Sequence, residues 1–216
     1  MDRHRIGIVI PALNEAATIV SVVTRAAVYG NPIVVDDGSS DDTGFLAKSA
    51  GAKIVRHISN CGYDQALNSG FKCASELKCE YVITIDADGQ HNPEILSKFI
   101  EKLDNGADVV LGHRDRRQRL AEHIFAWVSN IKWGMSDPLC GMKAYRIGIY
   151  NELGHFDSYN SIGTELAIYA VQTGGKIVHL PILTRDRDDE PRFGVVFSAN
   201  KKILLALWLS LISSKK

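Results

Sequence analysis

The sequence is short of several things that would each have pointed to a partner or a compartment. It has no excess of charge: Lys plus Arg and Asp plus Glu both number 25, so the formal net charge is zero. A globally basic nucleic-acid binder is thereby excluded, and no nucleic-acid partner is expected. It has no C-x-x-C pair, its four cysteines standing at 61, 73, 79 and 140. A disulfide framework or a zinc site does not follow from that spacing, and reduced thiols in a cytoplasmic setting fit better. No signal-peptide pattern precedes the strand-like Ile6–Ile10. No apolar run reaches the ~20 residues of a membrane span; the longest near the end is Ile203 to Ile212. There is no internal repeat and no low-complexity linker.

What remains is an ordinary soluble composition, 45% hydrophobic and 23% charged over 216 residues. A chain of this length buries roughly 70% of the surface that its unfolded form exposes, enough for a core without cross-links. Short β-branched runs alternate with helical stretches. Strands are expected at Ile6–Ile10, Ile33–Asp36, Lys53–Arg56, Tyr81–Asp86, Asp108–Gly112, Met142–Arg146 and Lys176–Pro181. Helices are expected at Glu15–Tyr29, Asp42–Ala50, Asp64–Leu77 and Pro93–Asn105. Asn14, Ser40 or Asp41, and Asn92 before Pro93 stand at their starts as capping residues. Apolar strands separated by helices read as βαβ units, giving an α/β domain around a mostly parallel sheet covered on both faces.

Polar residues gather where strands end, and ligands of open α/β sheets bind beyond the carboxyl ends of the strands. The first strand runs into Pro11-Ala12-Leu13-Asn14-Glu15, the second into Asp36-Asp37-Gly38-Ser39-Ser40-Asp41-Asp42, and the fourth into Asp86-Ala87-Asp88-Gly89-Gln90-His91. Two carboxylates two residues apart, Asp86 and Asp88, can approach one hard cation from the same side. Mg²⁺ or Mn²⁺ takes such a pair together with substrate phosphate oxygens. Gln90 would add a carbonyl oxygen or orient a water. The turn at Asp36–Ser40 either accepts hydrogen bonds from a nucleoside, with Gly38 permitting close backbone approach, or is simply a loop leading into the next helix. His91 more readily fixes its loop than binds metal, and Cys140 has no histidine partner that would make it a nucleophile.

After residue 112 the pattern changes. Arg114, Arg116, Arg117 and Arg119 fall within six residues, followed by Leu120–Trp133 with two Trp and a Phe at helical spacing. The arginines read either as a solvated loop or as an anion site. The helix reads either as core or as an amphipathic element at a membrane interface, with basic residues meeting anionic head groups; the interface is the preferred reading. Lys201-Lys202, Ile203–Ile212 and Lys215-Lys216 repeat the pattern.

Three segments occur together in a recognisable order: Pro11-Ala12-Leu13-Asn14-Glu15, Val34-Val35-Asp36-Asp37-Gly38-Ser39-Ser40-Asp41-Asp42-Thr43, and Asp86-Ala87-Asp88-Gly89-Gln90-His91-Asn92-Pro93-Glu94. They resemble inverting family 2 glycosyltransferases of the GT-A fold. The Gln-His-x-Pro-Glu continuation resembles the dolichyl-phosphate (polyprenyl-phosphate) mannosyl- and glucosyltransferase branch. Asn60-Cys61-Gly62 is similar to the branch's N-x-G segment, although Asp64 stands where a small or basic residue is commoner. Gly112-His113-Arg114 resembles its G-S-R, Asp137–Lys143 its D-x-x-x-G-F-R with Met142 and Lys143 for Phe and Arg, and Arg185 with Pro191-Arg192-Phe193-Gly194 its late arginine-rich loop.

The resemblance implies a Rossmann-like GT-A domain over residues 1–200 and an apolar, basic C-terminal helix over 201–216. It implies that Pro11, Ala12, Asn14, Glu15, Asp37 and Gly38 line a nucleotide pocket with Asp36 nearby. Asp86, Asp88 and Gln90 would hold Mg²⁺ or Mn²⁺ and the diphosphate of a GDP- or UDP-sugar. Arg114 would face the acceptor phosphate or the donor sugar. The implied reaction is inverting transfer to a polyprenyl-phosphate acceptor, or alternatively to a saccharide hydroxyl in cell-surface glycan assembly. A hydroxyl acceptor needs a general base, for which Asp137 and Glu165 are the candidates. A phosphate monoester is already largely ionised near pH 7 and needs cations instead. Peripheral contact with the cytoplasmic face of a membrane, and a membrane partner protein, complete the expectation.

Overall fold

The computed structural model describes residues 3–115, 117, 119–183 and 196–213. Arg116, Arg185, the Pro191–Gly194 segment and Lys215-Lys216 lie outside the described residues. Seven strands form one sheet: β1 (Ile6–Ala12), β2 (Asn31–Asp36), β3 (Lys53–Arg56), β4 (Tyr81–Thr84), β5 (Val109–Arg114), β6 (Lys143–Arg146) and β7 (Ile177–Ile182). Their order across the sheet is β3-β2-β1-β4-β6-β5-β7. All neighbours are parallel except β6, which runs antiparallel to both β4 and β5. The mostly parallel α/β sheet expected from the sequence is therefore present, with one reversed strand wedged into it.

Both faces are covered, which is why the strands read as unbroken apolar runs. In β1, Ile6, Ile8 and Ile10 point into one core while Val9 points into the other. The first core is roofed by α1 (Ile19–Ala26), α2 (Thr43–Ser49) and α4 (Leu96–Asp104), through Val23, Ala47 and Phe99 among others. The second is roofed by α3 (Tyr63–Glu76), α6 (Ile147–Leu153) and α7 (Glu165–Gln172), where Phe71 packs on Tyr145, Tyr150 and Phe156. A third, smaller core joins α5 (Leu120–Trp133) to α8 (Val196–Ser213) through Ala121, Phe125, Ile203, Ala206 and Leu207.

Helix boundaries shift where a polar side chain prefers a loop. Helix α1 begins at Ile19, four residues after the expected Glu15, because Asn14 takes a left-handed backbone (φ 54°) and Thr18 and Ile19 turn back onto the Glu15 carbonyl. Asn14 therefore caps no helix. Asn92 does cap: its side chain accepts from Glu94 N at 3.2 Å, with Pro93 opening a short 3₁₀ turn before α4. Helices α6 and α7 were not expected. Each is only seven or eight residues long and lies between polar loops, too brief for a periodic signal.

Candidate active site

Beyond the carboxyl ends of β1, β2 and β4 lies a cleft of about 1090 Å³. Of the residues expected around a nucleotide, Pro11, Ala12, Glu15 and Asp37 line it, as do all three expected metal-side residues, Asp86, Asp88 and Gln90. Asn14, Asp36 and Gly38 do not line it; they brace the loops beside it. Asn14 Oδ1 accepts from Ser40 N (2.8 Å) and Asn14 N donates to Ser39 Oγ (3.0 Å), tying the loop after β1 to the loop after β2. Asp36 is fully buried, accepts from Ser39 N and pairs with Arg56 at 3.5 Å. Gly38 has φ 78°, and a Cβ there would strike the Ser59–Asn60 backbone. Its glycine serves loop-on-loop packing rather than close approach to a ligand.

Asp37 is held by a network that the sequence did not reveal. Its Oδ1 accepts from Cys61 N (2.9 Å) and faces His57 Nδ1 at 2.6 Å; its Oδ2 accepts from Gly62 N (2.9 Å). His57 Nε2 continues to Ser69 Oγ at 2.8 Å. The available signal was position: His57 follows β3 directly, at the same edge as the other strand-end motifs.

The cation-facing end is shaped by a missing side chain. A Cβ on Gly141 would overlap the Asp86 carboxylate, so only glycine lets Asp86 lie where it does. Asp86 Oδ1 accepts from Tyr63 Oη at 3.3 Å, and Asp88 Oδ1 accepts from Gln90 N at 3.0 Å. Burial, with Asp88 close by, raises the Asp86 carboxyl above its ordinary range, although His91 opposes the shift. Two crowded carboxylates under that strain are the donor set that a small divalent cation relieves, so the residues fit the expected metal. His91 is buried with Nε2 3.8 Å from Asp86 Oδ2 and no partner for Nδ1. It packs beside Asp86 rather than fixing the loop by hydrogen bonds.

Three arginines, Arg114, Arg117 and Arg119, line the same cleft. Arg114 and Arg119 are anchored by acids and Arg117 by a backbone carbonyl. Arg114 grips Asp137 with Nε–Oδ2 at 2.8 Å and Nη2–Oδ1 at 2.9 Å, and lies 3.6 Å from Glu122. Arg117 donates to Ser136 O at 2.5 Å, and Arg119 pairs with Glu122 at 3.0 Å. Burial alone would raise the Asp137 carboxyl, but the Arg114 hydrogen bonds outweigh it and hold the group below the usual carboxylate range.

That geometry turns both expected bases away from the cleft wall. Asp137 is 1% exposed, lies off the cleft wall and spends its oxygens on Arg114. Glu165 is also off the cleft wall: Oε1 faces His155 Nε2 at 2.9 Å and both oxygens accept from Ser158. Asp137, held charged by Arg114, is a poor proton acceptor. Cys140 is no nucleophile either, since burial, with Asp137 nearby, pushes its thiol up to about 12.

The other half of the cleft is apolar. Leu139 and Ile162 meet Ile203, Ala206 and Leu209 of α8 there. On the outside of the same helix pair Leu120, Trp127, Ile131, Trp208 and Ile212 stand exposed, Trp127 by 67% and Trp208 by 57%. Lys132, Lys201 and Lys202 are exposed on the same two helices, Lys202 at the cleft wall. Helix α5 has two faces: Phe125 and Ala121 are core, and Trp127 and Ile131 are exposed. Among the described residues no helix is long and apolar enough to cross a membrane.

Comparison with known proteins agrees with this layout. Residues 7–154 match the family described as Glycosyl transferase family 2. An uncharacterized protein of Methanocaldococcus jannaschii is 31% identical over 201 residues, covering 85% of this chain and 83% of its own. An undecaprenyl-phosphate 4-deoxy-4-formamido-L-arabinose transferase of an Enterobacter species is 28% identical over 207 residues, covering 86% of this chain but only 61% of its own. The crystal structure of glucosyl-3-phosphoglycerate synthase from Mycobacterium tuberculosis in complex with Mn²⁺ and UDP-glucose superposes with a TM-score of 0.76 over 97% of this chain and 78% of that one. At 22% identity that likeness speaks to the fold alone.

Proposed function

The chain belongs to glycosyl transferase family 2, and on that premise we propose that it transfers a sugar, with inversion, from a nucleotide-sugar to a lipid phosphate of the polyprenyl type. One observation carries the choice of acceptor. The Asp86/Asp88 end, the three arginines and the apolar wall of α8 share a single cleft. A nucleoside diphosphate, a phosphate monoester and a hydrocarbon chain each find matching chemistry along it.

Asp86, Asp88 and Gln90 would hold Mg²⁺ or Mn²⁺, with Pro11, Ala12, Glu15 and Asp37 against the nucleoside. When bound, the cation offsets the charge that develops on the departing diphosphate. A solved structural neighbour is a complex with Mn²⁺ and UDP-glucose, which is consistent with such a donor. Arg114, Arg117 and Arg119 offer planar guanidinium groups suited to a phosphate acceptor. The position of Asp137 and Glu165 off the cleft wall points the same way, because an ionised phosphate attacks without a base. An undecaprenyl-phosphate sugar transferase among the relatives supports the class of acceptor. The exposed Trp and Lys residues of α5 and α8 fit a peripheral helix pair resting on an anionic membrane surface, where such an acceptor resides. In this reading the C-terminal segment is an interfacial helix appended to the transferase domain.

The rival acceptor, a saccharide hydroxyl, needs a base in the cleft. Glu122 is there but pairs with Arg114 and Arg119, which leaves Asp64 as the carboxylate to test. Equilibrium binding of UDP and GDP, with Mn²⁺ and with EDTA, tests the donor end. The wild type should bind one of them only with metal, and Asp88→Ala should lose that binding. Metal-independent binding unchanged in Asp88→Ala would remove the assignment.

A further inference from the structure

Asp64 departs from the pattern that the surrounding N-x-G segment otherwise follows, and the structure puts it on the cleft wall. It occupies the first turn of α3, next to Tyr63, whose hydroxyl donates to Asp86. It is therefore one residue from the contact that reaches the cation-facing end. Asp64 Oδ1 is shielded from solvent and has no hydrogen-bond partner, while the backbone N–H groups of Ile162 and Gly163 face the same carboxyl group. An unsatisfied buried carboxylate oxygen is costly, and in a substrate cleft that cost is recovered when a ligand donates to it.

The wall around Asp64 is built rather than incidental. Lys143, buried at the start of β6, also lines the cleft and donates from Nζ to Gly163 O. The loop that carries this carbonyl is held in an unusual shape. Asn160 (φ 58°), Ile162 (φ 57°) and Gly163 (φ 67°) are all left-handed. For a β-branched residue such as Ile162 that conformation is an outlier, and strain of this kind clusters at ligand sites. Asp157 maintains it, accepting from Tyr159 N, Ser161 N and Gly163 N. Asn160 and Ile162 face the same cleft.

We propose that Asp64, with Lys143 and the Asn160–Gly163 loop, forms the subsite that reads the transferred sugar, Asp64 accepting a hydrogen bond from a hydroxyl or amino group of that sugar. The proposal rests on the reading of the cleft as a nucleotide-sugar site. Charge assigns the carboxylate to the sugar and not to the acceptor: a phosphate acceptor is repelled by Asp64 and drawn to the arginines, whereas a neutral or cationic sugar substituent is attracted. Burial, with Asp157 as a second cause, raises the Asp64 carboxyl to about 7. A donor from the sugar would offset that penalty.

The test compares each nucleotide with its sugar conjugate. UDP, UDP-glucose, GDP and GDP-mannose are titrated with Mn²⁺ against the wild type, Asp64→Asn and Asp64→Gly, with a thermal melt of each to confirm folding. The expected result is that the variants hold the free nucleotide within about twofold, while the extra affinity of the conjugate falls at least tenfold. Equal weakening of nucleotide and conjugate would assign Asp64 a structural role and overturn the proposal. Unchanged conjugate binding with a collapse of kcat on a saccharide hydroxyl would make Asp64 a general base and overturn it as well. If the wild type binds neither nucleotide, the donor-pocket reading itself falls and takes the subsite with it.

Discussion

Arg114 and Asp137 form a fork-to-fork pair: Nε and Nη2 of the arginine meet Oδ2 and Oδ1 of the carboxylate at 2.8 and 2.9 Å, and the Arg114 backbone N–H adds a third bond at 3.0 Å. Asp137 is 1% exposed, so the pair lies where water screens little. It fixes Arg114 at the end of β5 with its outer face toward the cleft. Asp137 is a positioning residue. Asp137→Ala leaves a largely buried guanidinium without its partner and should cost about 3–5 kcal/mol of stability. Asp137→Asn, which keeps the shape, should cost about 1–3 kcal/mol and raise the acceptor KM more than it lowers kcat. Denaturant melts and steady-state kinetics check both. Abolished turnover in a fully stable Asp137→Asn would return Asp137 to the role of base.

Gly141 and Asp86 give the second prediction. Because a Cβ at 141 would overlap the Asp86 carboxylate, Gly141→Ala should push Asp86 off its position. Mn²⁺-dependent nucleotide binding should fall at least tenfold, about 1.4 kcal/mol, which calorimetry reads directly. Wild-type affinity in this variant would mean that Asp86 has room to move without consequence.

Asp64 has a signature in stability as well as in binding. Its carboxyl is raised to about 7 in the folded protein against about 3.9 for an unperturbed Asp. The native state holds that proton more tightly than the unfolded chain, so stability from this group is full below about pH 4 and is lost as pH rises toward 7. Asp64→Asn should remove the loss. The variant should be more stable than wild type at pH 8 by up to about 4 kcal/mol, with the gap closing at pH 4. A gap independent of pH would show that Asp64 does not titrate in that window.

The outer faces of α5 and α8 make the fourth prediction. Burying one large side chain in a membrane interface contributes about 1.5–3 kcal/mol, so Trp127→Glu and Trp208→Glu should each weaken binding to anionic vesicles more than tenfold. Co-sedimentation with vesicles of mixed anionic and zwitterionic lipid measures this. Undiminished binding by the double variant would place the membrane contact elsewhere.

Much of this layout was readable beforehand because the informative residues obey local rules. Apolar strands buried on both faces announce themselves, and the loops after β1, β2 and β4 carry their chemistry in consecutive residues. What sequence could not show was which carboxylates were already spoken for. Asp137 and Glu165 have the right type for a base, yet their oxygens are taken by Arg114 in one case and by His155 and Ser158 in the other, across 7 to 23 positions of chain. Such pairings depend on tertiary approach and leave no spacing rule. The reversed β6 was hidden for the same reason, since strand direction is set by the path of α5 rather than by the residues of Lys143–Arg146. Asp36, Asn14 and Gly38 stand off the cleft wall because loop-to-loop packing uses the same Asp, Asn and Gly chemistry as nucleotide recognition.

The central claim, that the acceptor is a lipid phosphate, is tested most directly by one competition assay. The purified chain, Mn²⁺ and a labelled nucleotide-sugar are incubated with a polyprenyl phosphate and an excess of free saccharide, and the labelled product is identified by mass. The account predicts a sugar linked through phosphate to the lipid, formed by wild type and lost on Arg114→Ala. Label appearing on a saccharide hydroxyl, with the lipid phosphate unmodified, would contradict it.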